Sequence, residues 1–179
     1  MSRFIAILIA CSVATAALGW GQGYDKDTTL NSQTTSALIY QMQQDFKRCF
    51  RLEKNYRYDC YDEAYYRSAR KISRNPAYAP ATAALDEVGR KITAIVDANR
   101  DPNLPVLRQG FNTYRPIRTE ALPASKEKVA EAIEEARTIL LRTPENGGDN
   151  FQRIAAALES NKVLLRSALL LIGAILAIV

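Results

Sequence analysis

Apolar residues recur along this chain mostly at helical spacing. Leu38, Met42, Phe46, Cys49 and Phe50 stand at i, i+4, i+8, i+11 and i+12, the stripe of a first helix. Thr34, Thr35 or Ser36 is suited to cap it, and residues 20–36, rich in Gly, Ser, Thr and Asp, read as a flexible leader. The polar stretch 53–57 predicts a turn. A second helix is expected over about 58–73, with Cys60, Ala64, Ser68 and Ile72 along one side and Asn75-Pro76 ending it. A third begins near Pro80, carries Leu85, Val88, Ile92, Ile95 and Val96 as its stripe, and stops at Asp101-Pro102. Residues 103–123 hold four prolines or glycines and no clean period. They are expected to form a long crossover packed on the bundle by Leu107, Phe111, Tyr114 and Ile117.

A fourth helix from Ser125 buries Val129, Ile133, Ala136 and Leu140. After a turn over 144–149, in which Asp149 suits an N-cap, a fifth runs from Asn150 through Phe151, Ile154, Leu158 and Leu165. Strand-like alternation is nowhere sustained. The expected fold class is all-α, a small bundle of about five helices joined by one long crossover loop.

The two ends are apolar in different ways. Arg3, the uncharged run 4–18 and the small residues Ala14, Ala16, Ala17 and Gly19 make residues 1–19 a secretory signal, cleaved after Ala16 or Gly19. Its apolar run is short of the roughly twenty residues that span a bilayer. Leu8-Ile9-Ala10-Cys11 also has the residue types of a lipoprotein box, although the apolar run continues past Cys11. At the other end, 168–179 is apolar on every face, as in the centre of a core or in a membrane. Extended back to Val163, the segment reaches about 25 Å as a helix. Lys162 and Arg166, four apart, would then stand at the lipid interface. The single stripes of the other helices offer little spare surface to cover it. The expectation is therefore an apolar helix over 163–179 that enters the membrane, with a helical domain over 37–162 on the exported side.

Composition narrows the chemistry. The chain has 179 residues and no His, which excludes Ser-His-Asp triads, Cys-His pairs and His-ligated metals. No phosphate-binding or dinucleotide glycine pattern is present, so no catalytic residue, cofactor or metal is assigned. Removing the signal leaves Cys49 and Cys60. On one continuous helix their Cα atoms would stand about 16 Å apart, whereas a disulfide needs about 7 Å or less. A bond between them requires a reversal, which 53–57 can supply. The expected result is a disulfide-stapled helical hairpin in an oxidising compartment.

Charge is concentrated on that hairpin. Residues 47–74 hold nine Lys or Arg against four Asp or Glu, an excess equal to the net +5 of the whole chain, with five tyrosines interleaved. Arg51, Arg57, Tyr58, Tyr61, Tyr65, Arg67, Arg70 and Arg74 are the expected binding surface, because arginine grips anions and tyrosine packs beside them. Behind a signal sequence the anion is an anionic lipid, an acidic glycan or an envelope protein, and not nucleic acid. Glu127, Glu131, Glu134 and Glu135 share one side of the fourth helix. They would hydrolyse a glycan only with a second acid facing them about 5–10 Å away. The expected function is a non-enzymatic structural or adaptor role in the bacterial envelope, exported to the periplasm. The alternative is an envelope glycan hydrolase that works through carboxylates.

Overall fold

A computed structural model describes residues 28–144 and 148–167. The signal at 1–19, the start of the leader and the segment 168–179 lie outside the described residues. Five helices carry the fold: α1 Ser32–Phe50, α2 Arg57–Ile72, α3 Ala79–Ala98, α4 Leu122–Arg142 and α5 Asn150–Ser167. Each packs on the next, and α5 returns against α1 to close the ring. The all-α bundle read from the apolar periodicity is the observed one.

α1 begins earlier than its stripe implies. Asn31 is the cap, its side chain accepting the Thr34 N–H at 2.7 Å. Residues 32–36, expected in the leader, are thus helical, and Thr35 is wholly buried. Its hydroxyl donates to Asn150 Oδ1 at 2.8 Å and lies 2.7 Å from the Tyr78 hydroxyl, which in turn donates to the Asn31 carbonyl. This polar knot ties the starts of α1, α3 and α5 together at one end of the bundle. Thr35→Val keeps the shape and strips two buried partners of a hydrogen bond. It is expected to cost about 1–2 kcal/mol, read as a lower urea midpoint at unchanged slope.

The reversal between α1 and α2 is a single 3-10 turn at Lys54–Tyr56. It brings Cys49 and Cys60 into a disulfide with Cα atoms 5.5 Å apart. α2 then lies between α1 and α3, and its interior volume is supplied largely by rings. Phe46 stacks on Tyr61 at 4.8 Å between centroids and meets Tyr65 edge-on at 5.3 Å. This corrects the sequence expectation for Tyr58, Tyr61 and Tyr65, which are buried in the core rather than displayed on a surface. Ile72 is the one aliphatic residue larger than alanine in α2, so the tyrosines fill the space between neighbouring helices.

The crossover after α3 contains a short antiparallel hairpin, β1 Leu107–Gln109 and β2 Asn112–Tyr114, turning at Gly110 with φ +60°. Arg115 holds its base. The Arg115 backbone N–H donates to Asp59 Oδ2 at 2.8 Å, while Nε and Nη2 donate to Asp59 Oδ1 and Nη1 donates to Asp97. Asn55 and Ile117 exchange two further hydrogen bonds. Tyr114 and Ile117 are buried as expected, but Phe111 is fully exposed at the hairpin tip. Polar bonds at the base fix the loop, so its tip needs no apolar packing.

α5 stays in the bundle past the boundary expected at 162, since Leu165 is buried. Lys162, expected at a lipid interface, has its ammonium bound by Glu134 of α4 and by Glu159 at 2.7 Å. Arg166 is exposed. Among the described residues no helix is long and apolar enough to cross a membrane.

Candidate functional site

Opposite the polar knot, α1 ends, α2 and α4 begin, and α5 runs out. Basic residues gather there from separate parts of the chain: Arg51 after α1, Lys54 in the turn, Arg57 opening α2, Lys126 in α4 and Arg166 in α5. Three of them, Lys54, Arg57 and Lys126, line a cavity of about 50 Å³ between α2, α4 and α5. Its floor is apolar, built from the buried rings of Tyr58 and Tyr61 and from Leu165, with Leu122 at one side.

Arg57 is held in place with no carboxylate partner among the described residues. Arg57 Nε donates to the Leu52 carbonyl at 2.8 Å, and its guanidinium carbon sits 4.6 Å from the centre of the Phe50 ring. Lys126 has its nearest carboxylate, Glu127, at 3.9 Å. Arg51 and Lys54 have no carboxylate partner among the described residues. Burial, with Tyr61 nearby, pushes the Tyr58 hydroxyl far above its ordinary range, and burial pushes Tyr61 up to about 12 against the pull of Arg57. Both phenols therefore stay neutral. The Tyr58 hydroxyl donates to the Leu122 carbonyl at 3.2 Å, tying α2 to the start of α4. Phe50, Val163 and Leu164 are exposed near this end. The combination suits an anion attached to an apolar body.

The expected hairpin surface is thus divided along α2. Arg51 and Arg57 belong to this end, and Tyr58 and Tyr61 reach it as its floor. Tyr65 lies deeper in the core. Arg67 is engaged midway, with Asp45 at 3.4 Å and Glu63 at 3.5 Å. Arg70 lies over Tyr66, and Arg74 is exposed beyond the far end of α2. From Arg57 to Arg70 a helix rises about 20 Å, too far for one small ligand to bridge. Lys126, Leu122 and Leu165 escape the sequence reading because they are distant in the chain and sit in ordinary amphipathic helices.

The glutamates of α4 serve the bundle. Glu134 accepts from Lys162 and Arg137, and these contacts, Lys162 first, hold its carboxyl below the usual range. Glu135 pairs with Lys91 of α3, and Glu127 lies beside Lys126. Glu131 is exposed on the same helix.

Carboxylates also line a groove between α2 and α3, where Asp62 and Glu63 share a wall system with Asp86 and Thr93. Burial raises the Asp62 carboxyl above its ordinary 3.8, opposed by the Thr93 hydroxyl donated at 2.7 Å; Asp59 and Asp97 push the same way as burial and Arg115 against it. A carboxyl raised in the folded state keeps its proton where the unfolded chain has lost it. It contributes stability fully below pH 3.8, and that contribution is lost as pH rises through the folded value. Asp62→Asn, which can still accept from Thr93, is expected to flatten this part of the stability–pH curve. Parallel urea titrations of the two proteins across the acid range check it, and curves of identical shape would refute it.

Compared with protein-family models, with curated proteins and with solved structures, the chain matches none of them.

Proposed function

We propose that this is an exported, non-enzymatic envelope protein that rests its cationic end on anionic lipid headgroups, with the apolar segment 168–179 entering the bilayer beneath. The observation that carries this reading is the convergence of Lys54, Arg57 and Lys126 around an apolar-floored cavity at the end where α5 leads into that segment. The signal-like residues 1–19 and the Cys49–Cys60 disulfide support an exported, periplasmic setting. Among lipid, glycan and protein partners, lipid is favoured because exposed Phe50, Val163 and Leu164 accompany the cations. An acidic glycan has no apolar phase to receive them, whereas a bilayer accepts both.

The test is partition of the full chain between buffer and vesicles. Vesicles containing phosphatidylglycerol are expected to bind it more tightly than vesicles of phosphatidylcholine alone, with the difference shrinking as salt rises. Arg57→Gln removes one surface cation, worth about 1 kcal/mol or roughly fivefold in affinity for the anionic vesicles. Equal partition into both lipids at low salt would overturn the reading.

The glycan hydrolase is kept as a second reading for one reason: the α2–α3 groove holds Asp62, raised toward the protonated state, in the company of Glu63 and Asp86. Release of reducing sugar from envelope glycan, abolished by Asp62→Asn in a protein that still folds, would move the function to that groove.

A further inference from the structure

The cavity at the cationic end is more than a place where positive charge accumulates. We propose that it is a saturable site for one phosphate headgroup carrying an alkyl chain, an inference that rests on the lipid-surface reading and gives it a specific ligand. Charge spread over a surface attracts any anionic bilayer without choosing a headgroup. Here three cations arrive from three elements, the 54–56 turn, α2 and α4, and converge on one concavity.

Lys126 lines the cavity with only a loose carboxylate partner. Its side chain is only 17% exposed, and its nearest carboxylate stands 3.9 Å away. A stem packed to this degree limits where the ammonium can stand, and so loose a partner leaves its charge available to a ligand. Arg57 is already oriented by Phe50 and the Leu52 carbonyl, and that bond uses Nε and leaves its terminal nitrogens for a ligand. A guanidinium fixed in this way loses little freedom when it binds a phosphate.

The apolar floor sets the rest of the ligand. At about 50 Å³ the cavity is far below the roughly 300–1,000 Å³ of pockets that enclose a whole drug-sized molecule. It takes a headgroup and the first part of a chain. Tyr61, Leu122 and Leu165 offer that chain an apolar wall, while Val163 and Leu164 on the outside of the last turns of α5 are exposed toward a bilayer. A free inorganic phosphate would meet the same cations and gain nothing from this wall.

The test uses the full chain in phosphatidylcholine nanodiscs, titrated with hexyl phosphate and separately with inorganic phosphate, followed by NMR of the Arg57 and Lys126 side chains. Hexyl phosphate is expected to saturate at one per chain and to bind at least tenfold more tightly than inorganic phosphate. Lys126→Gln, a substitution at a helix surface with its fold checked by melting, is expected to weaken hexyl phosphate at least fivefold. Equal binding of the two phosphates would identify a free-phosphate site and overturn the lipid assignment. Titration without saturation, or saturation unchanged by Lys126→Gln, would remove the site from this cavity. If phosphatidylglycerol vesicles still bind selectively in that case, the cavity assignment fails alone; if their selectivity is absent too, the lipid-surface reading fails with it.

Discussion

Replacing Cys49 and Cys60 together by Ala is expected to lower stability by about 3 kcal/mol, the chain-entropy value for a loop of roughly a dozen residues. For a domain of this size that corresponds to about 6–12 °C in melting temperature. The cross-link closes only the turn between α1 and α2, so most of its effect falls on the unfolded chain. The fold is expected to survive, because α1 also packs on α5 and shares the polar knot at Thr35. Melting of the wild type with and without reductant, beside the double variant, measures the effect. Reduced wild type and variant should coincide, and an unchanged melting temperature after complete reduction would show that the bond contributes nothing. The staple also sets the path that places Arg51 and Lys54 near Arg57. Reduction should therefore weaken binding to anionic vesicles even below the melting transition.

Arg115→Met is expected to be at least as damaging, at about 3–5 kcal/mol, the range for removing one partner of a buried ion pair. Asp59 would be left almost wholly buried, having lost two side-chain donors, and the base of the β1–β2 hairpin would lose its link to α3 through Asp97. The Asp59 hydrogen bonds raise the Arg115 guanidinium further above its ordinary value, against the cost of partial burial. Adding Asp59→Asn to Arg115→Met removes the stranded charge and should restore part of the loss. Urea unfolding of both single variants and the double variant closes the cycle. A loss below about 0.5 kcal/mol for Arg115→Met, the level of an ordinary surface substitution, would show that the loop is held elsewhere.

The contrast between these two linkages explains which contacts can be read from the chain. The disulfide is legible because two cysteines close in sequence, with polar residues between them, admit one geometry. The Asp59–Arg115 pair joins residues far apart through a loop with no periodicity, and nothing local marks it. Phe111 departs from expectation for a related reason. An apolar residue in an irregular segment carries no face, and its exposure follows from polar fastenings at the hairpin base.

The candidate site shows the same division. Arg51 and Arg57 stand out in a locally basic stretch, but the five tyrosines among those charges have no phase that separates core from surface. Packing of α2 between α1 and α3 buried Tyr58, Tyr61 and Tyr65 and left Tyr66 outside, while Tyr56 is buried in the turn before it. Lys126 and Leu165 joined the site only because α4 and α5 close the ring at the same end.

The order of amino acids by itself determined the number and type of helices, the disulfide and the excess of positive charge on the first hairpin. Those depend on the helical period and on neighbours within a few turns, where backbone geometry leaves few choices. Tertiary structure decided which charges act together, which tyrosines are core, and that Lys162 ties α4 to α5. Such outcomes depend on which helix faces which, and that is settled by packing of the whole bundle, over distances that local patterning does not encode.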